Sequence, residues 1–595
     1  MIRTPLRPLA RILSARAKGE NPDAIERENL RLRTEAVRDK ARARAEWRLV
    51  VLGVCFFAAF GIIGARMGLL AATDPEEPQT ADAGSPIIAG RADIVDRNGR
   101  VLATNLVTHA LYAQPKQMID PERVAVELAR IFPDLDAARL YKDFTGERKF
   151  LWIRRKLSPE QMQAVHDIGD PGLLFGPREM RLYPNGKLAS HILGGAGFGR
   201  EGVSSAEIIG TAGVEKTYDD YLRDPANGGA PLQLSIDMSV QAAAEQILYG
   251  GMKLMNARGA TSVLLDVHTG EIVSMVSLPD FDPNNRPLPP VSGDPSDSPI
   301  FNRAVQGLYE LGSTFKIFAA AQAIDQGLVN ANTVIDTRPF NWGRFRIKDM
   351  HNYGASLTVL KIIEKSSNVG SARLALMIGV QRQQEFLKRL GFLTPTPVEL
   401  VEAPGAKPLL PRQWSELSSM TIAYGHGMSA SPLHLAAAYA SVVNGGNKVQ
   451  PTLIKRDRPL VGERVISEQT SRTVRTLLRG VVSEGTGSTY GDVKGYEVGG
   501  KTGTAEKPLR GGKGYAHDKV IATFASAFPM SDPKYVLIVS LDEGVDTSGP
   551  EPRRTAGWTA VPVAAEMIRR IAPLLGLRPQ VESATPAAAI TLVKN

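Results

Sequence analysis

The feature that most constrains this chain is an unbroken apolar run from Leu49 to Ala65, which continues after Arg66 to Ala72. A transmembrane helix needs about 20 largely apolar residues, and an Arg near its end can reach the lipid headgroups with its long side chain. The sequence therefore predicts a single N-terminal transmembrane helix over residues 49–72.

The two flanks of this span differ in charge. Residues 1–48 contain 13 Lys and Arg against 7 Asp and Glu, and 13 − 7 = +6 accounts for most of the chain's net charge of +9. The span is followed by acidic residues at 74, 76 and 77. Because basic flanks stay in the cytoplasm, 1–48 is predicted to be a cytoplasmic basic tail, with the bulk of the chain periplasmic and anchored in the inner membrane. This local basic excess gives no reason to expect a nucleic-acid partner.

The tail also contains the start of a helix. Asn21, Pro22 and Asp23 are typical of a helix N-terminus with Pro at the first helical position, and they predict a charged helix that runs to about Trp47. A cleaved signal peptide is the alternative, but this tail is long for one and no clear A-x-A cleavage site follows the span.

A chain of 595 residues exceeds what one core usually serves, so several domains are expected. Composition and periodicity predict an α+β multidomain chain. Its predicted parts after the span are a periplasmic linker at 73–86, a mixed α/β domain at 87–230, a second domain at 231–576 and a flexible C-terminal tail at 577–595.

The hydrophobic pattern becomes sharper from Leu232 onward. A strand alternation over 232–236 leads into a helix that begins near Asp237. Two apolar segments on either side of Gly270 predict a β-hairpin over 261–276. The later elements predicted are a buried helix at 432–440 and strands at 520–525 and 535–541.

Several kinds of site find no support in the sequence. The single cysteine, Cys55, lies within the apolar run, so neither a disulfide nor a thiolate metal cluster is expected. The eight histidines show no metal-ligand spacing. We therefore predict no metal and no cofactor.

The candidate chemistry begins at Ser313-Thr314-Phe315-Lys316, just before an apolar helical run. Residues three apart lie on the same helix face, so Lys316 can reach the Ser313 hydroxyl. A serine becomes a good nucleophile when a neighbour accepts its proton, and a lysine can do so when its pKa is lowered toward neutrality. This pair predicts acyl transfer, although an S-x-x-K alone also arises by chance.

Two further motifs follow in the chain. Ser366-Ser367-Asn368 comes about 50 residues later, and Lys501-Thr502-Gly503-Thr504 follows a predicted strand. Ser366 can relay a proton to a leaving amine, and Asn368 can hold a substrate amide. Lys501 can attract a carboxylate, and Gly503 allows the strand to approach the acyl group.

In this order the motifs match the signature of penicillin-binding proteins and class A β-lactamases, except that the middle Asp is Ser367. From about residue 91 to about residue 575 the chain resembles the class B penicillin-binding proteins. Its departures from the family pattern, Ala92 for Gly and Leu311 for Pro, remove no chemical group. The segments that carry the resemblance are 91–103, 181–191, 210–215, 302–304 and 309–316; 366–370 and 424–434 resemble the septal, FtsI-type members.

The resemblance implies a peptidoglycan D,D-transpeptidase that cross-links stem pentapeptides at the division septum through an acyl-serine intermediate and is a target of β-lactams. It implies that 87–230 is a non-catalytic pedestal or dimerisation domain, and that 231–576 is a transpeptidase domain whose antiparallel sheet is flanked by helices. In the family the backbone N–H groups of Ser313 and Thr504 would hold the oxyanion, with Thr502 in the same substrate-binding strand.

No glycosyltransferase domain is implied, so a septal glycosyltransferase of the FtsW type and divisome activators are expected partners. Alternative interpretations are an elongation-specific class B transpeptidase, a β-lactamase, and a non-catalytic divisome scaffold or β-lactam sensor. The intact Ser313, Lys316 and Lys501 argue against a silent site.

Overall fold

The computed structural model describes residues 13–72, 90–201, 206–396, 398–509 and 514–580. The predicted linker at 73–86 and most of the predicted C-terminal tail, from residue 581, lie outside the described residues. The chain forms two compact units. The described residues of Met1–Gln79, Ala113–Leu151 and Val165–Leu173 make up the first, and those of Thr80–Tyr112, Trp152–Ala164 and Leu174–Asn595 the second.

The first unit contains a 51-residue helix, α1, from Pro22 to Ala72. It begins where the sequence predicts, but the predicted charged helix and the predicted span form one continuous helix. No Pro or Gly separates them, so nothing interrupts the helical hydrogen bonds. The segment Thr34–Met67 is long and apolar enough to cross a membrane, and its most apolar window buries none of its residues against the protein.

Two shorter helices of the first unit are amphipathic. Asp120 and Asp136 accept hydrogen bonds from the first backbone N–H groups of these helices and so fix their N-termini. Each helix buries one apolar side, through Val124 and Leu128 in the first and Leu140 in the second. They are α2 (Pro121–Ile131) and α3 (Ala137–Phe144).

A five-stranded sheet and a small hairpin organise the chain before residue 235. Its strands are β1 (Ile94–Val95), β2 (Val101–Ala113), β3 (Leu151–Arg154), β4 (Leu173–Leu182) and β7 (Leu232–Gln233). The sheet has the order β3-β2-β1-β7, with β4 also paired to β2, and β1 and β7 are parallel. The other elements are α4 (Pro159–His166), α5 (Ser190–Leu193), the hairpin β5 (Gly195–Glu201) and β6 (Ala206–Ala212), α6 (Gly213–Thr217) and α7 (Asp219–Arg223).

A buried ion cluster lies within the second unit. Arg91 donates to Glu215 at 2.6 Å and to Asp219 at 2.7 Å, and Arg181 donates to the other oxygen of Glu215 at 2.6 Å. Tyr183 donates its hydroxyl to Glu215 at 3.2 Å. Opposite charges in direct contact offset much of the cost of removing them from water. The cluster therefore joins residues from three of the segments that carry the family resemblance.

The second sheet of this unit has five antiparallel strands in the order β14-β15-β16-β8-β9. Val263 and Leu265 point into one core and Leu264 into the other, as strand alternation requires. The strands are β8 (Gly259–Asp266), β9 (Ile272–Leu278), β14 (Gly499–Pro508), β15 (Tyr515–Phe528) and β16 (Tyr535–Asp542). The helices α8 (Met238–Leu254) and α16 (Ala560–Leu574) pack on one face, and α14 (Pro432–Val443) packs on the other.

The remaining elements form a helical lobe with two small hairpins. Its helices are α9 (Lys316–Asp325), α10 (Val359–Lys365), α11 (Asn368–Ile378), α12 (Val380–Arg389), α13 (Glu416–Ala423) and α15 (Glu468–Ser483). Its strands are β10 (Val334–Asp336) paired with β13 (Ser356–Thr358), and β11 (Phe340–Trp342) paired with β12 (Phe345–Ile347).

Most of the elements predicted after residue 231 are confirmed. The helix start at Asp237, the hairpin around Gly270, the buried helix at 432–440 and the two later strands are all present. The predicted strand at 232–236 is shorter, because only Leu232 and Gln233 pair with β1 and Leu234 forms no more than an isolated bridge to Ile454. The strand predicted before Lys501 instead contains the motif, since β14 begins at Gly499 and includes Lys501 to Thr504.

Candidate active site

The candidate nucleophile lies on a tight turn at the start of a buried helix. Residues Gly312–Phe315 form a 3-10 turn that continues into α9 at Lys316. Gly312 has φ +56, and a side chain there would come within 2.8 Å of the Thr504 carbonyl oxygen, so the turn requires glycine. Ser313 is partly exposed, and Lys316 donates to its hydroxyl at 2.8 Å. The structure thus brings the first predicted pair into direct contact.

A second turn faces this pair. Helix α10 ends at Lys365, and the next residue, Ser366, has the left-handed conformation (φ 63) that is uncommon outside glycine. Ser367 then caps α11 by accepting from the N–H of Gly370. Lys316 donates to both the carbonyl oxygen and the hydroxyl of Ser366, at 2.6 and 2.9 Å. The unusual backbone conformation accompanies a turn that presents both Ser366 oxygens to one ammonium group.

The edge strand β14 completes the candidate site. Lys501 donates to the same Ser366 hydroxyl at 3.0 Å, so one serine joins the two lysines. A side chain at Gly503 would lie 2.4 Å from the Leu311 carbonyl oxygen. This glycine therefore allows β14 to pack against the nucleophile turn. Thr504 accepts from the N–H of Ala556 at 3.0 Å, which ties the end of the motif to the neighbouring loop.

The two lysines are almost completely removed from solvent, with exposed fractions of 1% for Lys316 and 0% for Lys501. Neither forms an ion pair with any residue that the structure describes. Burial first, and the charge of Lys501 second, lower the pKa of Lys316 well below the usual lysine range. Burial lowers the pKa of Lys501 to about 7. The arrangement can therefore hold a neutral amine beside a serine hydroxyl near neutral pH.

Asp349 is a site residue that the sequence analysis missed. Its carboxylate accepts from the Ser367 hydroxyl at 2.7 Å and from the backbone N–H groups of Asn368 and Val369 at 2.5 and 3.0 Å. It thus binds the N-terminus of α11 from 19 residues earlier in the chain. Its charge also opposes the lowering of the Lys316 pKa. A single Asp after a short strand gives no periodic or motif signal by which it could be found.

Thr486 is a second residue without a sequence signal. Its hydroxyl lies 2.7 Å from that of Thr502, and its N–H donates to the Glu364 carbonyl oxygen at 3.2 Å. The loop that carries Thr486 therefore connects α10 with β14.

Asn368, the remaining predicted residue, is partly exposed at the start of α11, and its side-chain amide is 3.5 Å from the Lys348 carbonyl oxygen. All eight predicted site residues thus lie on three adjoining segments, and side-chain hydrogen bonds connect Ser313, Lys316, Ser366 and Lys501.

Two family models match this chain. The penicillin-binding protein transpeptidase domain matches residues 260–567, and the penicillin-binding protein dimerisation domain matches residues 86–229. The candidate site residues all fall within the first match.

Individual relatives agree with these matches. The chain is 36% identical over 565 residues to the probable peptidoglycan D,D-transpeptidase FtsI of Caulobacter vibrioides, covering 93% of each chain. It is 29% identical to the peptidoglycan D,D-transpeptidase FtsI of Escherichia coli K12, over 84% of this chain and 87% of that one. The crystal structure of penicillin-binding protein 3 from Mycobacterium tuberculosis, complexed with aztreonam, is similar with a TM-score of 0.62 and 25% identity, over 83% of this chain and 98% of that one.

Proposed function

The chain belongs to the class B penicillin-binding proteins of the FtsI type, and on that premise we propose that Ser313 is the residue through which it forms its acyl-enzyme. As a D,D-transpeptidase of this family it cross-links peptidoglycan at cell division. The observation that carries the assignment to Ser313 is the 2.8 Å hydrogen bond from the buried Lys316 ammonium group to its hydroxyl.

In the proposed acylation, neutral Lys316 accepts the Ser313 proton while the serine oxygen attacks the carbonyl of the penultimate D-alanine of a stem pentapeptide. The backbone N–H groups of Ser313 and Thr504 stabilise the oxyanion. The proton returns through Ser366 to the departing amine, because the Ser366 hydroxyl contacts both Lys316 and Lys501. The C–N bond breaks, D-alanine leaves, and an ester to Ser313 remains.

Lys501 has a different role in the same step. Its ammonium group binds the terminal carboxylate of the donor peptide together with the hydroxyls of Thr502 and Thr504. A carboxylate beside Lys501 favours its charged form, and that charge in turn favours neutral Lys316. Substrate binding therefore prepares the base. An amine from a neighbouring stem peptide, held near Asn368, then attacks the ester and forms the cross-link.

A β-lactam follows the first half of this path. Its ring carbonyl acylates Ser313 and its carboxylate occupies the Lys501 position, but the ring-opened fragment stays attached and blocks the acceptor amine. Deacylation is then slow. The peptidoglycan donor and the β-lactam thus share one site.

The chain is anchored in the membrane. Among the described residues, α1 is the only helix that is long and apolar enough to span one. We propose that residues 1–48 lie in the cytoplasm and that the catalytic part lies in the periplasm, since the basic residues crowd the N-terminal flank. We also propose domain limits at 87–230 and 231–576. The chain leaves the first sheet at Gln233, because β7 pairs with β1, and this exit lies within three residues of the proposed boundary.

We propose protein partners from the two domains that the family models match. Both family matches together account for most of the periplasmic part, and neither is a glycosyltransferase. We propose that a septal glycosyltransferase of the FtsW type supplies the glycan and that divisome activators regulate the pair. The FtsI-type relatives favour this septal role over the elongation role.

The decisive experiment treats the purified full-length chain with a fluorescent penicillin and follows the label by mass spectrometry. We expect stable covalent label on the native chain and on Ser292→Ala, which removes an exposed serine, and none on Ser313→Ala. Rapid loss of label would indicate a β-lactamase, and an unlabelled native chain would contradict the acyl-serine mechanism. Uniform side-wall localisation in dividing cells would contradict the septal role.

A further inference from the structure

The hairpin formed by β11 and β12 is held firmly against the catalytic lobe. Its register pairs Phe340 with Ile347 and Trp342 with Phe345. Ile347 is buried against Val369 and other residues of α11, and Phe340 and Trp342 pack on the same cluster. The inward face of the hairpin is therefore apolar and fixed, and only its other face and its tip are free to meet a ligand.

The outer face and the tip of the hairpin carry three cations. We call residues 340–348, which include the hairpin and these cations, the basic hairpin. Arg344 is at the two-residue turn, Arg346 is on the outer face opposite Asn341, and Lys348 follows the second strand. All three are exposed. Within the described ranges none of them forms an ion pair, and the Arg344 guanidinium instead lies 5.3 Å from the Phe345 ring. The basic hairpin thus presents uncompensated positive charge.

The neighbouring arginines, in contrast, form ion pairs. Arg338 and Arg373 both form ion pairs with Asp336, at 2.9 and 3.3 Å. The arginines beside β10 are therefore neutralised by Asp336, whereas the cations of the basic hairpin have no acidic partner among the described residues. Unpaired cations on a rigid element are suited to binding an external anion.

The basic hairpin adjoins the candidate active site. Its last residue, Lys348, accepts a hydrogen bond from the Asn368 side chain through its carbonyl oxygen. The next residue, Asp349, binds the backbone of Asn368. The three cations consequently lie on a segment that contacts the start of α11 at Asn368, a residue of the candidate site.

We propose that the basic hairpin is a subsite for the free carboxylates of peptidoglycan strands, which hold the polymer beside the cleft while one stem peptide reacts. This inference rests on the proposed function and extends it from the reacting peptide to its neighbours. Stem peptides carry free carboxylates, and a guanidinium group binds a carboxylate through two parallel hydrogen bonds.

The test measures binding of soluble, un-cross-linked, fluorescent peptidoglycan strands to the full-length chain in detergent. All chains carry Ser313→Ala so that no acylation occurs. We expect the double variant Arg344→Ala/Arg346→Ala to bind strands about fivefold more weakly at low salt, the combined effect of two exposed charge contacts. The matched control is Lys455→Ala/Arg458→Ala, which removes two exposed cations beside the bridge between Ile454 and Leu234. It should bind as the unaltered chain does.

Two results would overturn the proposal. One is equal strand affinity for the hairpin variant and the control, when both have the melting temperature of the unaltered chain. The other is undiminished binding of strands whose carboxylates have been capped as amides. Failure of the proposed function is a separate result, because it is read from penicillin labelling of the chain with Ser313 intact.

Discussion

Two groups of buried charged side chains in this protein are arranged in opposite ways. In the cluster around Glu215, the cations Arg91 and Arg181 contact carboxylates directly. At the candidate active site, Lys316 and Lys501 are equally buried but share only the Ser366 hydroxyl. The first group pairs its charges, whereas the second brings two like charges together without an acidic partner in contact.

The difference shows how burial can serve two purposes. A buried cation with a carboxylate partner keeps its charge and fixes the segments that it joins. A buried lysine without one gives up its proton more easily, and a neutral amine is what a serine nucleophile requires. Arginine suits the first arrangement because it remains protonated, and lysine suits the second because its pKa responds to burial.

The largest expected effect comes from Lys316→Met, which keeps the apolar stem but removes the base. Loss of a general base typically costs about 10²- to 10⁴-fold in rate, and we expect the upper part of that range because no other base contacts Ser313 among the described residues. Stopped-flow acylation with a fluorescent penicillin measures the rate. The melting temperature should stay the same or rise, because the variant no longer buries an amine.

Lys388→Met, an exposed lysine of α12, is the matched control and should leave the acylation rate unchanged. A much lower melting temperature for the Lys316→Met chain would contradict this prediction. Lys316 would then stabilise the fold, as the ion pairs around Glu215 do.

The converse prediction concerns Glu215→Gln. This change leaves Arg91 and Arg181 buried without their shared partner and should lower the free energy of unfolding by about 3 kcal/mol. Chemical denaturation compared with Glu463→Gln, which breaks an exposed pair with Lys448, measures the difference. Equal losses in the two variants would contradict the structural role assigned to the cluster. Acylation of the folded Glu215→Gln chain should remain close to native.

The sequence predicts much of the site because its motifs are local. Ser313 and Lys316 are one helical turn apart, so their contact follows from helix geometry. The match of the three motifs to the penicillin-binding protein signature implies that Ser366 and Lys501 join this pair. The hairpin around Gly270 and the Ala-rich helix at 432–440 are likewise predicted from patterns within a few residues.

The parts that could not be predicted depend on contacts that no motif marks. Asp349 binds the start of α11 from 19 residues earlier in the chain, and Thr486 reaches Thr502 from a loop 16 residues earlier. Neither residue belongs to a periodic pattern. The strand predicted at 232–236 is short for the same reason, because its length depends on a partner strand that is far away in the chain.

Lys501→Arg should change the pH dependence of acylation. With a pKa of about 7, Lys501 loses its positive charge as the pH rises, so the second-order acylation constant of the native chain should fall above neutrality. At about pH 8 it should be roughly tenfold below its plateau. An arginine keeps its charge, and the alkaline decrease should disappear even though the larger side chain lowers the plateau. An unchanged alkaline limb would show that Lys501 does not titrate in this range.

The smallest effect is expected for Asp349→Asn, which keeps the shape of the side chain and removes its charge. The Asp349 charge raises the pKa of Lys316 against burial and Lys501, so its removal should lower that pKa further. The rise of the acylation rate with pH should therefore begin at lower pH. The plateau should fall only about two- to fivefold, as expected for a weakened charge at a helix N-terminus. Asp349→Glu retains the charge and should restore the native pH profile. If Asp349 were merely a helix cap, both variants would lower the plateau and neither would move the acid limb, so the pH profile separates an electrostatic effect on the lysine pair from a structural effect on α11.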